Sequence, residues 1–236
     1  MINGATAGNG IEISGTDNAR INRNTIDNTA IDGVRITGGD DNASLDNLIG
    51  TVGGNIGDSG INVDGSTSVL LTGNTVTGAT NLGIKVENSG DDALVQLNTI
   101  SGSGRSGIRA ADSDNVTLDQ NNVTNAGHAG IFVTRLTNSA ITTNTIDGTT
   151  LFRGIGINGA DTLNVDGNII SNTQLDGILA NNVSGLTLNN NTINTTVAGN
   201  GIDVEGSASA QITNNKIGLT GGAGNITADG LSLIHI

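Results

Sequence analysis

The chain has 236 residues and a formal net charge of −13, from 22 acidic residues against nine Lys and Arg. An acidic chain without a basic run makes a poor partner for nucleic acid or anionic membranes. The absence of Cys excludes disulfides and thiolate metal sites, and no apolar run is long enough to insert into a bilayer.

Taken in order, the predicted elements repeat. A unit opens at Gly10 with Ile11-x-Ile13, alternates again before Asn24, and closes on Asn24-Thr-Ile. Further units open at Gly33, Gly60, Gly83, Gly107, Gly130, Gly154, Gly177 and Gly201, spaced from 23 residues (Gly10 to Gly33) to 27 (Gly33 to Gly60). The closing Asn recurs at Asn74, Asn98, Asn121, Asn144, Asn168, Asn191 and Asn215. Asn47 fits the spacing in the second unit, but the alternation before it slips, and residues 51–59 read as an insertion. Each unit holds three short period-two runs rich in Ile and Val, the pattern of strands with one buried face. Three short strands with no helix between them cannot form a crossover sheet. They can wind one turn of a coil, and coils stacked about 4.8 Å apart pair strand on strand. Nine such turns make a rod of roughly 43 Å. Turn preference alone does not put Asn at one register in unit after unit, each followed two residues on by Ile or Val. An inward Asn carries both a donor and an acceptor, so each can bond the next coil's Asn.

The Gly-Ile-x-Val, Val-x-Leu and Asn-Thr-Ile runs, as in Gly60 to Val76, resemble the right-handed parallel β-helix repeats of the pectate-lyase-like superfamily. The resemblance covers most of the chain. It implies an all-β, single-domain solenoid of nine to ten coils over residues 1–230, with an inward Asn ladder. It also implies a secreted or cell-surface bacterial protein, which the absence of Cys suits. Function follows less directly, because that superfamily includes lyases, hydrolases, epimerases, tailspikes and adhesins. Residues 231–236 break the pattern and resemble a translated transposon-based sequencing adapter. They are expected to be an artefact, leaving a metagenomic fragment whose parent polypeptide continues at both ends.

Three outward features carry candidate chemistry. Asp17, Asp40, Asp114 and Asp161 each lie seven residues after an opening Gly. Together with Asp41, Asp91, Asp92 and Asp112, Asp40 and Asp114 form an acidic corner that a calcium ion would suit, though Thr67 and Thr137 interrupt it and solvated turn residues explain it equally. The resemblance places a catalytic groove on the strand after the Gly. There Lys85, Arg109, Asp64 and Glu87 could mimic a lyase site, with carboxylates holding calcium and a base removing a sugar proton. A mesh of surface ion pairs is the plainer reading, since no long loop builds a cleft and the lyase signature around the catalytic Arg is missing. The third feature is a patch. Register brings Arg105, His128 and Phe152 into one column and Arg109 and Phe132 into another, with Arg135 and Arg153 nearby. Aromatic faces beside guanidinium groups suit a sugar bearing carboxylate or sulfate. The expected function is a non-enzymatic stalk or adhesive segment binding a polysaccharide or cell-surface glycan. The alternative is a polysaccharide lyase or epimerase acting on an acidic polysaccharide.

Overall fold

The structure, a computed structural model, describes residues 1–51, 55–90, 92–218 and 231–234. All regular elements among them are β-strands, so no helix is long and apolar enough to cross a membrane. Every strand pairing is parallel. In the first strand of each coil Ile61 pairs with Ile84, Ile84 with Ile108, Ile108 with Ile131, and Ile131 with Ile155. The third strands form a ten-stranded sheet of their own, while the first and second strands join into one sheet of eighteen. They are joined in the middle of the rod, where the ladder pairing of Ile131–Thr142 carries on through the corner between them.

Packing explains the repeated residues. Alternate side chains of all three strands turn inward, and the resulting columns of Ile, Val and Leu are almost wholly buried. The opening Gly has ordinary backbone geometry, so its reason is space. A Cβ at Gly107 would lie 2.2 Å from Val123 Cγ1 and 2.8 Å from the Gly130 carbonyl oxygen of the next coil. The residue five beyond each opening Gly turns the corner at positive φ. It is Gly at positions such as Gly65 and Gly159, Asn at Asn88 and Asn182, Asp112 in the fifth coil and Arg135 in the sixth. Gly, Asn and Asp tolerate that conformation most readily.

The Asn ladder is continuous from Asn24 to Asn215. Asn98 Nδ2 donates to Asn121 Oδ1 at 3.0 Å, Asn121 to Asn144 at 3.0 Å, Asn144 to Asn168 at 3.0 Å and Asn168 to Asn191 at 2.9 Å. Each Oδ1 also accepts the backbone N–H of the Asn one coil earlier, as from Asn98 and Asn121. From Asn47 onward each Nδ2 reaches a carbonyl in the preceding coil as well, such as Val95 or Leu118. The slip before Asn47 has a local cause. Ser44 stands in the core column between Ile21 and Leu71, and its hydroxyl bonds Asn47 Nδ2 and Asn74 Oδ1. In the irregular stretch that follows, Ile56 is fully buried and bridges Thr29 and Ala79. Leu231–Ile234, expected outside the repeat, forms a strand paired with Ile202–Glu205. Its Leu-Ser-Leu continues the alternation and takes the next first-strand position.

Candidate functional site

A groove of about 520 Å³ lies along the outer face of the first strands, from the corner leading into the third coil to that leading into the seventh. Three columns build it. Leu82, Ser106 and Ala129, each just before an opening Gly, form the floor. Asp58, Asn81, Arg105, His128 and Phe152, one residue earlier, form one wall. Lys85, Arg109 and Phe132, two residues after the Gly, form the other, and Glu87 and Arg153 complete the lining. Side chains alone make these walls, so the long loops that the sequence lacks are not needed.

The floor explains why the groove is where it is. In the second coil the residue before the Gly is Asp32, which is buried and accepts the Ser59 backbone N–H at 3.1 Å and the Asn62 amide at 2.8 Å. Burial raises the Asp32 pKa, against the hydrogen bonds from Asn62 and Ser59. In the eighth coil Asp176 does the same for the Asn200 N–H, at 2.9 Å. Between them the column holds Ser59, Leu82, Ser106, Ala129 and Arg153, and where Leu82, Ser106 and Ala129 stand, with no carboxylate, the face is left hollow.

Within the groove, Glu87 is held from two sides. Lys85 Nζ lies 2.8 Å from its Oε2, and Arg109 Nη1 pairs with its Oε1. Burial lowers the Arg109 pKa, with Asp112 opposing and Arg135 adding to the shift, but a guanidinium stays charged. His128 stacks on Phe152, with ring centroids 4.8 Å apart and an interplanar angle of 32°. The Arg153 guanidinium lies 5.6 Å from the Phe152 centroid on the next residue, within cation–π reach. Arg153 Nε is buried without a hydrogen bond; Asp176 Oδ2 approaches it to only 3.8 Å. Asn81 donates to Asp58 Oδ1 at 2.8 Å, leaving its own Oδ1 buried and unpaired. Arg105 is exposed and makes no ion pair with a described residue. Gly156, across from Phe132 on the next coil, leaves room for this arrangement: a Cβ there would lie 2.9 Å from Phe132 Cδ2 and 3.0 Å from Arg153 Cδ.

The residues singled out from sequence separate into groups. Arg105, Arg109, His128, Phe132, Phe152 and Arg153 line one groove, with Lys85 and Glu87 beside them. Asp64 pairs by register with Glu87, but its carboxylate accepts from Asn88 and does not line the groove. Arg135 sits on the outer corner and grips Asp112, with Nη2 2.7 Å from Oδ2. That bond holds the Asp112 carboxyl below its ordinary pKa. Asp40 accepts the Thr67 hydroxyl, Asp41, Asp92 and Asp114 are exposed, and Asp91 lies outside the described residues. Among the described residues no three His, Cys, Asp or Glu side chains gather to hold a metal. Sequence reasoning missed Asp58, Asn81, Leu82, Ser106 and Ala129. The signal for the floor was present, as a run of short or apolar residues, Ser59, Leu82, Ser106 and Ala129, in a column flanked by Asn9 and Asp32 at one end and by Arg153, Asp176 and Asn200 at the other.

No curated protein matches this sequence. Solved structures do match in fold. A periplasmic alginate epimerase, AlgG, superposes with a TM-score of 0.58 at 15% identity over 78% of this chain and 47% of its own. The Streptococcus pneumoniae surface protein and adhesin PfbA gives 0.67 at 14% identity, over 95% and 68%. The catalytic unit of an alpha-1,3-glucanase from Streptomyces thermodiastaticus gives 0.66 at 20%, over 96% and 47%. This chain thus spans about half the length of the epimerase and of the glucanase unit, and at these identities the likeness is one of fold. Enzymes and an adhesin stand side by side in it. The profile described as "Right handed beta helix region" matches residues 9–152 and 82–235, nearly the whole sequence, and the chain belongs to that family.

Proposed function

We propose that this chain is a glycan-binding, non-enzymatic segment of a larger secreted or surface-anchored bacterial β-helix protein, serving as a rigid stalk with an adhesive groove. The observation that carries the reading is the state of Glu87. Held by both Lys85 and Arg109, this carboxylate serves as a counter-ion and is ill placed to exchange protons with a substrate. The aromatic pair, with Arg105 and Arg153 beside it, supplies what sugar binding needs, an apolar face and charged donors. The adhesin among the structural neighbours is compatible with such a role.

One observation favours a second reading. His128 places an imidazole in the groove among Arg105, Arg109 and Arg153. An epimerase or lyase acting on an acidic polysaccharide needs such a base beside cations that neutralise the sugar carboxylate. The test is to titrate the recombinant chain with polyuronates and follow product, with and without calcium. Binding without unsaturated or epimerised product is the expected result. Turnover that His128→Ala abolishes, in a variant that still binds, would replace the adhesive reading with the enzymatic one.

A further inference from the structure

The groove is not uniformly charged, and the division has a chemical meaning if the chain binds glycans as proposed above, on which this inference rests. Toward the third to fifth coils lie Asp58, Lys85, Glu87 and Arg109. Their two positive and two negative charges cancel, and the ion pairs Lys85–Glu87 and Arg109–Glu87 engage both oxygens of Glu87. Toward the sixth and seventh coils lie His128, Phe132, Phe152 and Arg153, with Arg105 at the boundary. Arg105 has no carboxylate partner among the described residues, and Arg153 has only the loose ion pair with Asp176 at 3.8 Å, its Nε without a hydrogen bond. Both aromatic rings of the chain also lie in this half.

We infer that the groove takes a glycan of mixed character: an anionic sugar over Phe152 between Arg105 and Arg153, joined to an uncharged sugar beside Lys85, Glu87 and Arg109. Glu87 is the residue that sets this preference. A second sugar carboxylate arriving at Arg109 meets one already there, and must either displace it or sit beside a like charge. An uncharged sugar meets no such penalty. The groove runs along the coil axis, and Lys85 to Phe152 is three coil steps, about 14 Å, so a short run of consecutive sugars in one chain reaches both halves.

The inference predicts that removing one carboxylate changes which polymer is preferred. Calorimetric titration of the full chain with two oligosaccharides of equal length reads this directly: one alternating a uronate with an uncharged N-acetylhexosamine, the other all uronate. The parent chain is expected to bind the alternating one roughly tenfold more tightly. Glu87→Gln keeps the shape and hydrogen-bonding reach but frees Lys85 and Arg109, and is expected to raise affinity for the all-uronate chain until the preference is lost. Arg105→Gln should weaken both. Parent binding that favours the all-uronate chain, or an unchanged ratio in a folded Glu87→Gln variant, overturns the charge partition and leaves glycan binding standing. No binding of either oligosaccharide overturns both.

Discussion

The two faces of the first-strand corner make opposite use of the same register. On the inside every coil repeats its neighbour, and Asn144 bonds Asn121 and Asn168 as each of those bonds the next. On the outside the columns change identity from coil to coil: Lys85, Arg109, Phe132, Gly156 and Leu179 occupy one position in five successive turns. Repetition satisfies buried polar groups because each residue supplies what its neighbour lacks. Departure from repetition makes a recess, because a column that passes from Asp32 through Ser59 to Leu82, Ser106 and Ala129 stops filling the space above it. Stability resides in what recurs and recognition in what does not.

Breaking the inner column should therefore cost far more than editing the outer one. Asn144→Ala removes the acceptor of the Asn121 N–H and amide and the donor to the Leu118 carbonyl. Each orphaned buried group costs about 1–3 kcal/mol, so urea unfolding should show a loss of several kcal/mol. Gly107→Ala comes next. Its Cβ meets the backbone of the following coil as well as Val123, and overpacking of this kind costs about 1–3 kcal/mol. A midpoint unchanged in either variant would undo the account of the repeat.

On the outer face the expected effects pass from stability to binding. Gly156→Ala meets side-chain atoms alone, of Phe132 and Arg153, and no backbone. The gain of about 0.5–1 kcal/mol from replacing Gly within a regular element roughly offsets that crowding. The melting temperature should hold while glycan affinity falls, because both side chains belong to the groove. A loss of stability like that of Gly107→Ala would erase the distinction between the faces.

The smallest effects lie at the edges of the groove and depend on pH. Burial raises the Asp32 pKa in the folded chain, so its contribution is fully favourable below the ordinary carboxyl value and is lost as pH rises through the raised one. Asp32→Asn, which lets Asn62 turn its unpaired Oδ1 toward the new amide, is expected to stabilise slightly, more so from mildly acid to neutral pH. Asp112 behaves inversely. Arg135 lowers its pKa, so the pair's support is present above the ordinary carboxyl value and fades as pH falls through the lowered one. The pair is exposed, and Asp112→Asn should leave the melting temperature near that of the parent.

The fold was legible because its determinants are periodic. Gly107, Ile108 and Asn121 each predict their partners one coil away, and no distant element intervenes. The patch was legible for the same reason: register alone placed Arg105 below His128 and Arg109 below Phe132. What register could not give was direction. Arg135 lies only three residues after Phe132, but the backbone turns at its positive φ and sends it to the corner, toward Asp112. Asp64 and Glu87 share a column, yet one faces Asn88 and the other Lys85 and Arg109, a choice made by local partners. The floor was missed because it is marked by small residues, which draw attention only once their larger column neighbours are known to fill space.

The uniform spacing of the ladder also bears on how such a chain folds. Its side-chain bonds join residues 23 to 27 positions apart wherever they occur in the rod. The loop-closure entropy of adding a coil is therefore nearly constant, since it grows only with the logarithm of loop length. Contact order relative to chain length falls as coils accumulate. The slow event is the first pair of stacked turns, where the entropy of two loops is lost before any Asn has both neighbours. Each later turn docks on a finished template, so lengthening the rod should leave the nucleation rate per site nearly unchanged.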